Sequence, residues 1–442
     1  MASPFMKKRL LPLALAAAGL LHLPGAAAMS LMQAYEAALQ KDPTYRSDYY
    51  TAEGGKENRA LGLSGLLPNV SASYSGSRNK TTVTTDNVPL PEDYISRSAT
   101  IDVRQPLFNL DAWARYKQGK AQSAYAAAQF DSKAQDVIVR VTGAYIEALF
   151  KEDQVTLARA ERDYYVEQKK VNELLYKKGQ GTLTDVLETQ SHLDLAEAQL
   201  LEAQDALVTS RDTLAGMVGP DAGNPDPLRP GLHVEAQTVD YASLKQTALE
   251  TNPDIRALQQ NIEISKQEIN KQRAGHAPRL DFVGTYGKTA SDSLTTINED
   301  NTIRSIGFQL NLPIYSGGAV NASTRQAVAG YEKAKADLDA QISKTLTELR
   351  RNYNQVESSR ARIAALDKAV ESADLLIKAT EQSIKGGIRI NLDMLAAQRQ
   401  LYTAKRDLAE ARYGYLLAIM RLRAGAGTLS VDDVRLMAAY FE

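Results

Sequence analysis

Residues 179–187 read G-Q-G-T-L-T-D-V-L, and residues 387–395 read G-I-R-I-N-L-D-M-L. Each has a Gly six residues before an Asp, and the two segments lie 208 positions apart. Apolar residues follow both at intervals of seven. They are Val186, Leu193, Leu200, Leu207 and Leu214 after the first, and Met394, Leu401, Leu408, Tyr415 and Leu422 after the second. This is the order of a helix end, a turn and a new helix. Gly accepts the left-handed conformation that closes a helix, and an acid suits the first turn of the next. Neither Gly cluster follows a strand, as a nucleotide-binding fingerprint requires. Gly179, Gly181, Gly386 and Gly387 are therefore read as caps at the tips of two helical hairpins, free to meet a partner there.

Outward from the tips, the correspondence continues. Asp42-Pro43 is followed 25 positions later by Pro68, and Asn252-Pro253 is followed 25 positions later by Pro278. Pro106 and Pro313 also correspond, so the chain is a duplication. Residues 29–218 form the first repeat and 241–424 the second. Each is expected to hold a helix (about 30–63; about 241–274), two strands around a polar loop (about 79–95; about 291–302), a very long helix, the tip and a shorter helix. The segment G-P-D-A-G-N-P-D-P-L-R-P-G (219–231) opens a Pro/Gly-rich linker over 219–240, and 425–442 close the chain.

The chain has 442 residues and 15 prolines, all at or before Pro313, with none between Pro106 and Pro220. Helix interiors exclude Pro, so the Pro-free runs 107–219 and 314–442 are long helical regions. Within the second, Ile342, Leu349, Val356, Ile363, Val370, Ile377 and Ile384 recur every seven residues. Leu346 and Tyr353 are read as the intervening positions, a register that turns charged at Arg360, Asp367 and Asp374. The first half is weaker: Val141, Ala148 and Val155 fit, then Arg162 and Lys169 break the pattern. A sustained seven-residue period gives a left-handed coiled coil. A helix over 112–178 would be ~100 Å long, which suits a rod or a tunnel and not a compact enzyme.

Four segments alternate with period two. Val70, Ala72 and Tyr74 alternate with polar residues, as do Ala99, Ile101 and Val103; Leu280, Phe282 and Tyr286; and Ile306, Phe308, Leu310 and Leu312. An ordinary sheet on a helix face would read the same way. Strand lengths near those of spanning strands, and a polar second face, favour a membrane barrel with a watery lumen. Four strands cannot enclose a channel, so the barrel must be shared, and three copies supply twelve strands.

Composition removes other classes. Lys and Arg number 52 and Asp and Glu 53, which gives no basic excess for nucleic acid. There is no Cys, hence no disulfide, thiol nucleophile or lipid-anchored N-terminal Cys. Lys7, Lys8 and Arg9, the apolar run Leu10 to Leu23 and Ala26-Ala27-Ala28 read as a secretory signal over 1–28. No later apolar run is long enough for a transmembrane helix. Glu188 and His192 stand at helical i, i+4 spacing, but no further metal ligands lie nearby in sequence. No cofactor and no catalytic constellation is expected. Trp113, the only Trp, marks either a membrane interface or a packed strand-to-helix corner.

The duplicated halves, the Pro-flanked strand pairs, the two tips and the closing A-G-A-G-T-L (424–429) together resemble the TolC family of outer-membrane efflux and secretion channels. The resemblance covers nearly all of the chain after the signal. It implies a mainly α protein with a small β portion. In such a homotrimer a shared 12-stranded barrel sits in the outer membrane of a Gram-negative bacterium. Long antiparallel coiled-coil helices form a periplasmic tunnel, belted near its middle by the linker and the C-terminal segment. It also implies a periplasmic gate, in which an Arg is tied to a Thr and a Tyr to an Asp, and two Asp rings narrow the pore. The Arg falls on Arg389, the Thr on Thr184, the Asp of the tie on Asp185 and the first ring on Asp393. The Tyr position holds Ile384 and the second ring Ala396, so one tie and one ring are missing. Read for itself, an acid such as Asp185 or Asp393 also stabilises a helix N-terminus.

The implied function is a passive exit duct for type I protein secretion, partnered by a periplasmic adaptor and an inner-membrane ABC transporter. The alternative is the same duct in a multidrug or metal efflux pump, with an RND pump as partner. A periplasmic scaffold without a pore and a surface enzyme are the readings from other classes.

Overall fold

The computed structural model describes residues 29–220, 223–229, 240–386 and 388–441. The signal expected at 1–28, residues 221–222 and 230–239 of the linker, and Gly387 lie outside them.

The single helix expected at 30–63 is three: α1 (Leu31–Lys41), α2 (Pro43–Lys56) and α3 (Asn58–Ser64). Asp42 causes the first break. Its backbone is extended, it closes α1, and its side chain caps α2, where Pro43 lacks a donor to continue the earlier helix.

Two long strands follow, β1 (Asn69–Thr85) and β2 (Val88–Phe108). The polar loop expected over 79–95 is therefore strand. β1 and β2 stay in register from Asn69↔Arg104 to Thr85↔Val88, and only Asp86 (φ 51°) and Asn87 (φ 61°) form the turn. Two left-handed residues make the turn that matches strand twist. The run was opaque because Thr is polar, yet its branched side chain favours strands.

From β2 the chain enters α4 (Leu110–Lys177), 68 residues and ~100 Å long, and returns through α5 (Leu183–Val218). The second repeat gives α6 (Tyr241–Thr251), α7 (Pro253–Arg273), β3 (Arg279–Ala290), β4 (Asp300–Asn311), α8 (Ala319–Lys385) and α9 (Asn391–Gly425). Asn252-Pro253 breaks the helix expected at 241–274 just as Asp42-Pro43 does. A short α10 (Val431–Ala438) ends the described chain.

The strands form one antiparallel sheet in the order β1-β2-β3-β4. Its alternation separates two faces. One carries Val70, Tyr74, Ile101, Tyr286, Ile306, Phe308 and Leu310, all exposed in the protomer. The other is a polar lattice: Thr285 donates to Asp102 at 2.7 Å, Arg104 to Gln309 at 3.3 Å, and the Ser73 and Thr100 hydroxyls meet at 2.6 Å. Pro68 and Pro278 stand just before β1 and β3, Pro313 follows β4, and Pro106 sits at a register shift near the end of β2.

Each long hairpin is a coiled coil with a large side and a small side. In α9 the stripe of Met394, Leu401, Leu408 and Tyr415 alternates with Ala397, Ala404, Ala411 and Ala418, all of them buried. In α8 the partner stripe is not Leu346 and Tyr353 but lies one residue earlier, at Thr345, Ser359, Ala373 and Thr380, also buried. A small residue opposite a large one lets two backbones approach while the ridges still interlock. In α4 the seam passes from Val141, Ala148 and Val155 to Tyr165 and Asn172, so Arg162 and Lys169 do not end it.

The main core surrounds the middle of α4. Tyr145, fully buried, donates to Met29 O (2.9 Å) and accepts from Asp226 N (2.8 Å). Met29 bridges Pro225, Leu228 bridges Phe441, and the Phe441 ring packs edge-on against Tyr145. The start of the described chain, the linker and the C-terminal segment thus gather at one level of the long helices.

Candidate functional site: the hairpin tips

The first tip is held entirely by its own backbone and caps. Gln180 N bonds Leu175 O and Gly179 N bonds Tyr176 O, both at 2.9 Å, the paired bonds of a Schellman turn. Gly179 has φ +71°, where a Cβ is strained. A Cβ on Gly181 would lie 3.1 Å from Leu175 Cβ and 3.2 Å from Tyr176 N, so this site needs Gly for a close approach instead. Thr182 then caps α5. Its hydroxyl accepts from Asp185 N (3.1 Å), while Asp185 Oδ2 accepts from Thr182 N (3.1 Å) and from its hydroxyl (2.6 Å). The Asp185 carboxylate is thus already engaged in a capping box. Thr184 beside it is exposed.

The second tip has the same frame and different chemistry. Ile388 N bonds Ser383 O at 2.9 Å, the equivalent six-residue bond. Gly386 is right-handed (φ −82°), so its own conformation does not demand Gly. Ile390 stands at the N-cap of α9 with no side-chain cap, and Asp393 uses only its backbone N–H, toward Ile390 O (3.2 Å). Among the described residues of the protomer, no side-chain hydrogen bond or ion pair holds the Asp393 carboxylate. Arg389 reaches back along α8 to the buried Thr380 hydroxyl at 3.4 Å, and not to Thr184 or Asp185 within the protomer. Ile384 and Ala396, which replace the tie and ring residues of the resembled family, are half-buried and exposed.

The two hairpins are joined by polar contacts that the sequence reading missed. Down the α4–α9 seam toward the tip, Tyr413 donates to Asp153 (2.8 Å), Tyr402 to the Ala160 carbonyl (3.0 Å), and Gln168 to Asn391 Oδ1 (2.7 Å). Within the first hairpin, buried Asn172 donates to buried Thr189 at 2.8 Å. All but the Asp153 pair occupy the stretch where Arg162 and Lys169 interrupt the apolar repeat. That interruption was the available signal: a seam that turns polar must be hydrogen-bonded instead.

Glu161 lies on the same seam near Arg399 and Arg406. Burial raises its carboxyl above the usual range, and the two arginines oppose the shift without cancelling it. Burial likewise pushes the neighbouring Tyr164 hydroxyl up to about 12. His192 stacks on Tyr165, with ring centroids 5.4 Å apart and planes at 16°, which gives that His a packing role. Among the described residues no group of three or more His, Asp or Glu side chains could hold a metal ion, and no helix is long and apolar enough to cross a membrane.

The duplicated hairpins, the four-stranded sheet and the capped tips can be set against known proteins. The family model described as "Outer membrane efflux protein" matches residues 34–220 and 244–428, one stretch in each repeat. The chain belongs to this family. It is a TolC-family channel, as the tip motifs imply. It is 38% identical over 421 residues to the alkaline protease secretion protein AprF of Pseudomonas aeruginosa, covering 94% of this chain and 88% of AprF. It is 36% identical over 425 residues to the proteases secretion protein PrtF of Dickeya chrysanthemi, covering 94% and 92%. The fold matches the crystal structure of the Campylobacter jejuni CmeC outer membrane channel with a TM-score of 0.80 at 14% identity, covering 98% of both chains.

The open sheet now has its explanation. In this channel fold three copies of the four-stranded sheet close a twelve-stranded barrel in the outer membrane. The apolar face meets lipid and the Asp102–Thr285 lattice lines the lumen. The long hairpins of the three copies form the periplasmic tunnel, and the tips stand at its far end. Trp113, 48% exposed, stands at the first turn of α4 where barrel passes to tunnel, with its ring against Tyr116 and beneath Lys117.

Proposed function

We infer that this channel is the outer-membrane exit duct of a type I secretion system, and that its cargo is a secreted protease. The observation that carries this is the similarity to AprF and PrtF, both named for protease secretion, along 94% of the chain. An inner-membrane ABC transporter supplies the energy, and a periplasmic adaptor docks to the tips around Gly179, Gly181, Gly386 and Gly387. The duct itself is a conduit with no catalytic step. Its polar lumen offers water to an unfolded chain in transit and no pocket that would retain it.

At the periplasmic end Asp393 is the gate residue. Three copies on the three-fold axis bring three unpaired carboxylates together, and like charges at short range attract cations and raise one another's pKa. Asp185, engaged in its capping box, stabilises the first tip. It and Thr184 are the groups that Arg389 of the second tip approaches when the hairpins of adjacent columns close. With Ala396 in place of a second acid, the pore has one ring.

The test is reconstitution. In a host without its own duct, this chain together with a type I transporter, its adaptor and a protease substrate should restore protease in the medium. Drug susceptibility should be unchanged. Restored drug resistance without export would instead support the efflux reading, which the family's description favours.

A further inference from the structure

The two β-hairpins differ in length, and the excess of the first lies at the outer end. β3 and β4 have 12 residues each, whereas β1 has 17 and β2 has 21. β2 pairs with β3 only from Arg97 onward. Residues 77–85 of β1 and 88–96 of β2 therefore continue as a two-stranded ribbon past the β3–β4 hairpin.

The faces of this ribbon follow from the barrel. Ser73 and Thr100 face the lumen, so odd residues of β1 and even residues of β2 continue that face. Along the ribbon the same face is the sheltered one: Asn79, Thr81, Val83, Tyr94 and Ser96 are half-buried, while Arg78, Lys80, Thr82, Asp93 and Ile95 opposite them are exposed. The sheltered face changes character outward. It is hydroxyl-rich at Ser77 and Ser96, mixed at the pairs Asn79–Tyr94 and Thr81–Glu92, then apolar toward the turn at Val83, Leu90 and Val88. Leu90 and Val88 keep 53% and 56% of their surface exposed in the protomer. The outward face instead carries the Arg78–Asp93 ion pair (2.6 Å) and Lys80.

The β2 edge of the ribbon is also blocked from growing by strand pairing. The two-residue turn makes Thr85 and Val88 a hydrogen-bonded pair. Pro89 and Pro91 then fall where an N–H would point to the free edge of β2, and neither has one. Along that edge a further contact must use side chains. Reach is sufficient: nine residues span ~30 Å, and a twelve-stranded barrel has a radius of about 12 Å.

We propose that the three ribbons lean over the extracellular mouth and meet around the three-fold axis through Val83, Val88, Leu90 and Tyr94, forming a second, outer constriction. The occupant of each apolar ribbon face is the same face of the other two copies, continuous with the lumen surface they already share. This rests on the three-copy barrel, and not on the secretion reading or on the gate at the tips.

The absence of native Cys allows a direct test in the full-length channel in outer membranes. Leu90→Cys is expected to give intersubunit disulfides or short bismaleimide links several-fold more than Thr82→Cys, which lies on the outward face. Trimer size in mild detergent confirms that both variants assemble, and Val83→Cys replaces Leu90→Cys if the latter does not. Equal linking of the two positions in intact trimers overturns the proposal. So does stronger linking at Thr82→Cys, or a Leu90→Cys nitroxide that is broadened by spin-labelled lipid, since the ribbons would then lie on the membrane. A channel that fails to secrete proteases yet links at Leu90→Cys leaves this constriction standing.

Discussion

Asp42 caps the second helix of the first repeat and accepts from Arg140 at 2.8 Å while keeping only 3% of its side chain exposed. In the second repeat the same places hold Asn252, which donates to Gly425 O at 3.1 Å, and Glu348. A buried acid with a cation has been replaced by a neutral amide without one. Removing one member of a buried pair leaves an uncompensated charge. Arg140→Ala should therefore lower the stability of the solubilised trimer by about 3 kcal/mol. Arg140→Ala with Asp42→Asn should recover most of it, because Asn can still cap. Thermal unfolding of the two variants checks this, and no recovery in the double variant would count against it.

The two tip acids should separate cleanly. Asp185→Ala breaks a capping box and should cost about 1 kcal/mol of stability, with little effect on ion block. Asp393→Ala removes a carboxylate with no local partner, so stability should hold while block of conductance by divalent cations weakens. Planar-bilayer recording with and without added divalent ions gives the answer.

Arg389 reaches only Thr380 in the protomer, through a long hydrogen bond. If it also restrains a neighbouring hairpin in the trimer, Arg389→Ser should raise single-channel conductance, whereas Thr380→Ala should not. Equal conductance in wild type and Arg389→Ser removes the restraint.

Glycines at the tips are not interchangeable. Gly179→Ala places a Cβ at φ +71° and should cost about 1 kcal/mol. Gly386→Ala should be nearly neutral, since its backbone is right-handed and the new Cβ meets only ordinary contacts at 3.6 Å. Unfolding of the two variants distinguishes them.

Acidity should strengthen the α4–α9 seam. Burial raises the Glu161 carboxyl in the folded channel, so the fold holds its proton more tightly than the unfolded chain. Stability from this group is fully present below its unfolded pKa and lost as pH rises through the raised folded value. Asp153 is raised in the same sense by burial, partly offset by the Tyr413 hydroxyl. The melting temperature should fall from pH 5 to pH 7, and by less in Glu161→Gln.

Much of the architecture was legible because it repeats locally. Heptads announce coiled coils, period two announces strands, and Gly179 and Pro43 act through their own backbones wherever they stand. Asp42-Pro43 and Asn252-Pro253 were visible as matching landmarks, yet their effect, a helix break, depended on an extended residue that the helical pattern concealed. The outer ribbon was concealed too, because Thr81, Thr82 and Thr84 are polar on both faces and leave no apolar alternation to read.

The sequence by itself determined the duplication, the long hairpins and the four amphipathic strands, since each follows from the spacing of side chains along one element. Only the tertiary structure decided which groups join different elements. The pairing of Gln168 with Asn391, the seating of Tyr145 on Met29 and Asp226, and the bond from Tyr413 to Asp153 all depend on distances between segments remote in the chain. A hydrogen bond needs partners within about 3 Å, and spacing along the sequence carries no such information once the chain has turned at its tips.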